Sequence, residues 1–194
     1  GPTTPPPGPG QVVEFSGNSL DNKLYFEDEH HSVWYKFQVP YTGMLTFDII
    51  PLQTRDDYDF ILYKYEYKYG KFCVYVKDKK IKPIRTNISR NDPSIGSKTG
   101  LSLTSNITFK DAGPGQSYSK AIPVKKNDIY YLVLDNVYEN GKGHKIKFSY
   151  LKPDGSSAVV HEIKGLVING GQVDAEVVIQ EKETGKVLAS AKTD

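Results

Sequence analysis

Residues 32–39, SVWYKFQV, decide the fold class, because apolar and polar side chains alternate along them. The apolar face comprises Val33, Tyr35, Phe37 and Val39, and the opposite face comprises Trp34, Lys36 and Gln38. A period of two is typical of a strand that is buried on one face only. After a turn at residues 40–43, the same period returns over residues 44–50. We therefore predict two strands joined as a hairpin.

Strand-forming residues recur along most of the remaining chain. Val, Ile, Tyr and Phe, which favour strands, are frequent in residues 58–69, 72–76, 81–88, 119–124, 129–137, 144–151, 159–168, 175–180 and 186–191. The segment 81–88 contains Pro83 and is predicted to lie at a sheet edge, since proline cannot donate to a strand ladder. Residues 89–116 are rich in Ser, Asn, Gly and Asp and predict a long loop. Asn140-Gly141 favours a tight hairpin turn between the strands that flank it.

These segments predict an all-β fold, because no part of the chain shows a helical period with capping residues. The expected architecture is a two-layer antiparallel β-sandwich of the jelly-roll-like kind, followed by a partial second β domain. The core of the sandwich should bury Val33, Phe37, Phe47 and Val133.

Composition divides the chain into two β regions and two linkers. Residues 1–11 are rich in Pro and Gly and predict a linker, since neither residue supports a helix or a strand ladder. Residues 12–151 carry the sandwich, and the turn-forming residues 152–157 predict a second linker. Residues 158–194 form the partial domain, whose 37 residues are too few to fold unaided, as independent folding becomes rare below about 40 residues. We expect its strands to pair with the sandwich or with another chain.

Charge and cysteine content exclude several classes of partner. The formal net charge is +2, from 25 Lys and Arg against 23 Asp and Glu, so no overall field would attract nucleic acid. No apolar run is long enough to span a membrane. Cys73 is the single cysteine and cannot form an internal disulfide. It is expected to be a buried, inert thiol, since free cysteine is among the most buried residue types.

Four segments resemble one bacterial domain family. Residues 32–40, 43–47 and 57–63, together with the closing 124–133 (VKKNDIYYLV), resemble the pre-peptidase C-terminal (PPC-like) β-sandwich over most of residues 12–151. Residues 163–167, 175–179 and 184–186, with the final Thr193-Asp194, are similar to the start of a carboxypeptidase-regulatory-like β-sandwich.

Together, the two resemblances imply a piece of a large bacterial envelope protein, of the outer-membrane OmpA-like kind, or of a secreted protein. The implied localisation is extracytoplasmic, in the outer membrane or periplasm or outside the cell. The implied partners are a protein or glycan at the cell surface and neighbouring domains of the parent chain. The motifs of the PPC-like pattern are strands and turns and carry no catalytic residue.

Three carboxylates fall within four positions and form a candidate calcium site. Asp56, Asp57 and Asp59 come at the mouth of a predicted strand, and calcium requires several converging oxygen ligands. Further oxygen donors could come from Asn87, Asn91 and Asp92. The alternative is that Asp56 and Asp57 are turn residues that bond their own backbone.

Aromatic side chains form a second candidate site. An exposed row of rings on a sheet can stack against sugars or peptide side chains, and Tyr67, Tyr69 and Trp34 are the candidates. The alternative is that the neighbouring Tyr63 and Tyr65 belong to the core and leave Tyr67 and Tyr69 at a loop rim.

No sequence signature of catalysis is present, since the chain has neither a nucleophile elbow nor a Cys-His signature. The leading hypothesis is therefore a non-enzymatic binding, adhesive or structural module, stabilised by at most one calcium ion. A carbohydrate-binding module is the second hypothesis, and an accessory domain of a secreted hydrolase is the third.

Overall fold

A computed structural model describes residues 23–30, 32–68, 71–138, 141–164, 176–180 and 187–192, and for residues 159–164, 176–180 and 187–192 it describes the backbone. The predicted linker at residues 1–11 lies outside the described residues. In chain order the strands are β1 (Ser32–Gln38), β2 (Gly43–Pro51), β3 (Tyr58–Tyr65), β4 (Arg85–Asn87), β5 (Thr99–Ser102), β6 (Phe109–Lys110), β7 (Tyr118–Lys120), β8 (Ile122–Val124), β9 (Ile129–Asn136), β10 (His144–Leu151), β11 (Ser157–Lys164), β12 (Glu176–Gln180) and β13 (Val187–Lys192).

Two sheets face each other and confirm the predicted all-β sandwich. One sheet has the order β1-β9-β3-β4-β6, and the other has the order β13-β12-β11-β10-β2-β5-β7, with β8 paired to β2. The expected antiparallel pairing needs one correction, because β4 with β6 and β5 with β7 are parallel. Both parallel pairs are only two or three residues long, so they add little to the antiparallel frame.

The core between the sheets is rich in aromatic rings. Phe47 is 1% exposed, and its ring centroid lies 5.3 Å from that of Phe60 and 5.7 Å from that of Phe148. Phe37 packs on Phe148 from the facing sheet, with centroids 4.7 Å apart. The predicted burial of Phe37 and Phe47 is confirmed. Val33 is only partly buried, because β1 is the edge strand of its sheet and pairs with β9 alone.

A third layer covers the outer face of the five-stranded sheet. Ile61, Tyr63 and Val133 are fully buried there, beneath the N-terminal residues 24–26 and the helix α1 (Phe72–Lys77). Val133 is therefore buried as predicted, but in this second cluster rather than between the sheets. Burial on both faces also accounts for the continuous apolar run of β9.

The strand predicted at residues 72–76 is wrong, since these residues form α1. Phe72 and Val76 are one helical turn apart and are both buried, whereas Cys73 and Val74 are exposed. Contact with the sheet thus overrides the strand propensity of the segment. Cys73 was expected to be buried, and its exposure on the outer side of α1 corrects that expectation.

Neither predicted hairpin forms. β1 and β2 belong to different sheets, and so do β9 and β10. A strand with one buried face shows a period of two whether its neighbour in sequence lies beside it or across the core, so the pattern could not distinguish the two arrangements. Asn140 lies outside the described residues, and the connection at this point crosses between the sheets.

The predicted loop at residues 89–116 contains regular structure. It holds β5, β6 and a short 3-10 turn at Pro93–Ile95. The strand expected at residues 81–88 is shorter, at Arg85–Asn87, and lies between β3 and β6 rather than at an edge. Pro83 precedes the strand, so the missing N–H of this proline does not interrupt the ladder.

The C-terminal strands continue the larger sheet. β11 pairs with β10 in antiparallel register, including Ile146 with Ile163, and β12 and β13 follow in order. Ala158 joins the core cluster of the sandwich. The end of the chain thus pairs with the sandwich, one of the two arrangements expected from its length, and the domain boundaries drawn from composition stay a prediction.

Candidate functional site

Three loops meet at one end of the sandwich and enclose a pocket of about 460 Å³. They follow β2, β4 and β9, and the side chains that define the pocket are those of Arg55, Asp57, Arg90, Asn91, Ser97 and Tyr138. We call this the end-loop pocket. The strands fix its position, because β3 begins directly after Asp57 and β9 ends two residues before Tyr138.

Asn91 is the most constrained polar residue of the end-loop pocket. It is 4% exposed, and its Nδ2 donates to the carbonyl oxygen of Tyr58 at 3.1 Å. This bond fixes the orientation of the amide, since only the nitrogen can donate. Oδ1 is buried and has no hydrogen-bond partner among the described residues.

Asp57 is held beside Asn91. The backbone N–H of Asn91 donates to Asp57 Oδ1 at 2.8 Å. Burial raises the pKa of Asp57 above its usual range, while the Asn91 hydrogen bond and the charge of Arg90 act in the opposite direction. Arg90 itself is exposed, so a cationic and an anionic side chain share this wall of the pocket.

The loop after β4 is stiffened by its own polar contacts. Asp92 accepts from the backbone N–H of Ser94 at 2.8 Å and so caps the 3-10 turn. Hydrogen bonding from the Ser94 side chain, and then from its backbone, lowers the Asp92 pKa. Ser97 adopts a left-handed φ of 53°, and its hydroxyl donates to the carbonyl oxygen of Thr54. That bond joins two of the three loops.

Asp56 forms hydrogen bonds that stabilise the loops at the same end of the sandwich. Gln53 Nε2 donates to Oδ1 of Asp56, and the backbone N–H of Lys142 donates to Oδ2 at 3.0 Å. Both oxygens are thus occupied by protein donors. Asn87, another residue proposed as an oxygen ligand, is likewise occupied, because Ser89 donates to its Oδ1 from both N–H and hydroxyl.

Asp59 faces another carboxylate instead of the pocket. It lies directly opposite Asp135 in the β3–β9 ladder, and Asp135 accepts from the N–H of His30 at 2.9 Å, with His30 Nδ1 also 2.9 Å away. Burial raises the Asp59 pKa well above its usual range, and the charges of Asp57, Asp135 and Glu27 add to the shift. The contacts between His30 and Asp135 hold the N-terminal residues to the sheet.

The three aspartates predicted as calcium ligands therefore have different partners. The residues that the structure describes contain no group of three or more His, Cys, Asp or Glu side chains placed to hold a metal ion. Asp57 and Asn91 are the two predicted oxygen donors that come together. The calcium site stays a prediction.

Although the sequence predicts a calcium site here, the structure leads us to expect little effect of calcium on the melting temperature, because both oxygens of Asp56 already accept hydrogen bonds from protein donors and the charge of Arg90 acts on Asp57. The measurement is a melting curve of chelator-stripped protein with and without millimolar calcium chloride. A site occupied at 100 times its dissociation constant would stabilise the fold by about 2.7 kcal/mol. A rise of several degrees that Asp57→Asn abolishes, and Asp154→Asn does not, would instead establish the calcium site.

The aromatic candidates separate into two kinds. Trp34 is partly buried and stacks on Tyr63, with ring centroids 6.2 Å apart, so its ring is used in packing. Tyr67 is 81% exposed and contacts Tyr65 edge to face. Tyr69 lies outside the described residues.

A second pocket, of about 490 Å³, lies at the opposite end of the sandwich. Asp128 lines it and accepts from Lys64 Nζ at 2.9 Å and from the Tyr130 hydroxyl at 3.2 Å. Lys152 lies over the ring of Tyr41. Lys64, Asp128 and Lys152 thus contact neighbouring protein groups, in contrast to the amide oxygen of Asn91.

His144 is buried at the start of β10 and gives the fold a pH dependence. Its Nε2 lies 2.8 Å from the Tyr35 hydroxyl, and burial lowers its pKa from 6.5 to about 3. His144 therefore binds a proton below pH 6.5 in the unfolded chain, but only below about pH 3 in the folded chain. The contribution of neutral His144 to the free energy of unfolding is fully present above pH 6.5. It falls on acidification by at most about 1.4 kcal/mol per pH unit.

We expect His144→Gln to remove this dependence. The stability advantage of the wild-type protein over the variant should shrink by about 2 to 3 kcal/mol between pH 7.5 and pH 4.5. Urea unfolding at the two pH values measures it, and Asp59, which titrates with the opposite sign, contributes equally to both proteins. An advantage that stays constant with pH would show that His144 does not titrate as described.

Sequence analysis missed Arg90, Ser97 and Tyr138. They are polar or aromatic residues of loops far apart in the chain, and nothing in their local pattern marks them. Asp135 was also missed, although a carboxylate within the apolar run of β9 is a usable signal for a buried polar contact.

Among the described residues, no helix has the length and apolar character needed to cross a membrane. Comparison with known proteins found no matching family model, no matching curated protein and no matching solved structure.

Proposed function

We propose that this chain is a non-catalytic binding module of a larger extracytoplasmic bacterial protein, and that the end-loop pocket holds its ligand. The observation that carries the proposal is the buried Oδ1 of Asn91, which no described residue satisfies. An unpaired buried acceptor costs about 1 to 3 kcal/mol. A ligand that donates to the oxygen would recover that cost.

The position of the pocket supports the same proposal. Binding residues are frequently found on loops that a rigid scaffold positions, and here three loops are fixed by strand ends and by the Ser97–Thr54 hydrogen bond. In the opposite pocket, Asp128 is already paired with Lys64, and Lys152 lies over the ring of Tyr41.

The groups that could support catalysis have other roles within the described chain. His144 is buried against Tyr35, and His30 is bonded to Asp135. Ser32 donates to Glu29 instead of to an imidazole, so this serine lacks the histidine partner that activates a nucleophile. The extracytoplasmic location and the envelope or secreted parent protein rest on the resemblance to PPC-like and carboxypeptidase-regulatory-like domains.

Sedimentation with isolated bacterial envelope fragments tests the proposal. We expect the wild-type chain to sediment with peptidoglycan sacculi or with outer-membrane vesicles, and Arg90→Ala to reduce retention at least tenfold. Lys147→Ala is the matched control, because Lys147 is an exposed cation on β10 outside the end-loop pocket, and it should leave retention unchanged. Equal retention of all three proteins, or no retention of the wild type, would contradict the proposal.

A further inference from the structure

We infer that the end-loop pocket binds an uncharged saccharide, an inference that rests on the proposed function and specifies its ligand. The pocket volume of about 460 Å³ falls within the range of about 300 to 1,000 Å³ typical of small-molecule sites. It can therefore receive a sugar ring rather than a single ion. The charges and hydrogen-bonding groups of its walls determine which ligand class fits.

The charges of the pocket disfavour an ionic ligand. Arg55 and Arg90 line this space together with Asp56 and Asp57, so two cationic and two acidic side chains border it. An anion placed here meets the carboxylate of Asp57, and a cation meets the guanidinium of Arg90. A polar ligand without net charge avoids both repulsions.

The hydrogen-bonding groups require a ligand that both donates and accepts. Asn91 Oδ1 is an acceptor whose amide orientation is fixed by the Tyr58 carbonyl, so a ligand group that reaches it must be a donor. Arg90 offers only donors, so the ligand must also accept. A hydroxyl group does both, and neighbouring hydroxyls on a sugar ring can serve the two residues at once.

Tyr138 supplies the apolar part of such a site. It lines the pocket and is 49% exposed, which places a large ring at the rim. The C–H face of a sugar ring packs on an aromatic ring while its hydroxyls point elsewhere, and tyrosine suits a surface that is apolar on one side and wet on the other. A tyrosine at the rim, a buried acceptor and a nearby arginine thus form one saccharide site.

The test is a microarray that displays uncharged hexose and N-acetylhexosamine oligosaccharides beside uronic-acid oligosaccharides, in buffer with a calcium chelator. We expect binding to uncharged members of the array, with at least a tenfold loss for Arg90→Ala and for Tyr138→Ala. Tyr67→Ala and Lys147→Ala are the matched controls and should bind as the wild type does. Tyr67 follows the far end of β3, about 25 Å along the strand from Asp57.

Each other outcome overturns the inference. Binding to uronic-acid members alone would show an anion site, and a loss with Tyr67→Ala instead of Tyr138→Ala would place the site at the other end of β3. If no saccharide binds while retention on envelopes still depends on Arg90, the saccharide inference fails and the proposed function stands. If both signals are absent, the saccharide inference and the proposed function both fail.

Unchanged melting temperatures verify that the variants fold. Arg90→Lys, which keeps the charge, replaces Arg90→Ala if that variant melts early.

Discussion

Phe47→Ala is expected to lower the free energy of unfolding by about 3 to 5 kcal/mol, the range found when a buried phenylalanine is truncated. The Phe47 side chain is 1% exposed and lies between Phe60 of the facing sheet and Phe148 of the neighbouring strand. Its removal leaves a cavity that both sheets border. Because the strand pairing of β2 fixes the backbone on both sides, the core cannot easily collapse to fill it.

Leu103→Ala is the matched control, since this apolar side chain is 53% exposed. Surface substitutions usually change stability by less than about 0.5 kcal/mol. Urea unfolding monitored by fluorescence measures both variants. A loss below about 1 kcal/mol for Phe47→Ala would contradict the position of Phe47 at the centre of the sandwich.

The strands that sequence alone located well are those with one buried face. The predicted segments 44–50 and 144–151 correspond to β2 and β10 within one residue at each end. In both strands, side chains alternate between the core and solvent, so the period of two records the actual environment of each residue. This also explains the correct identification of Phe37 and Phe47 as core residues.

The pattern was less informative where a third layer covers the sheet. Residues 72–76 contain strand-forming side chains and nevertheless form α1, because Phe72 and Val76 pack on Tyr63 and Tyr131 of the sheet. This packing depends on residues 24–26 and on the outward faces of β3 and β9. None of these long-range contacts is encoded in the local period, and neither is the sheet to which a strand belongs.

The end-loop pocket was only partly predictable for a related reason. Asp57 and Asn91 were among the predicted oxygen donors, but their hydrogen bond joins residues 34 positions apart. Sequence proximity grouped Asp57 with Asp56 and Asp59, whereas in the fold Asp56 holds Lys142 and Asp59 faces Asp135. Asp56 and Asp57 lie in the loop before β3 and only Asp59 lies within the strand, so nearness in sequence did not bring the three carboxylates together.

Gly100→Ala is expected to destabilise the fold by at least about 3 kcal/mol, from two effects that add. Gly100 has a φ of +146°, a region that residues with a β-carbon rarely adopt. A β-carbon at this position would lie 2.0 Å from the carbonyl oxygen of Phe47, a backbone atom that cannot move aside without breaking the β2–β5 pairing. Alanine at this position must therefore separate β5 from β2, which also disturbs the parallel pairing of β5 with β7.

Gly113→Ala distinguishes the overlap from the backbone strain. Gly113 also has a positive φ, of +98°, but no atom lies within 4 Å of the position that its β-carbon would take. We expect the free energy of unfolding of this variant to fall by about 1 to 2 kcal/mol, the cost of the unfavourable φ alone. Urea unfolding of the two variants under identical conditions makes the comparison. Equal losses would show that the close approach of β5 to Phe47 does not limit what position 100 can accommodate. A larger loss of unfolding free energy for Gly100→Ala would show that the close approach of Gly100 to the Phe47 carbonyl holds β5 to β2. The loop after β4, which lines the end-loop pocket, leads into β5 and is tied to the sandwich by the same pairing.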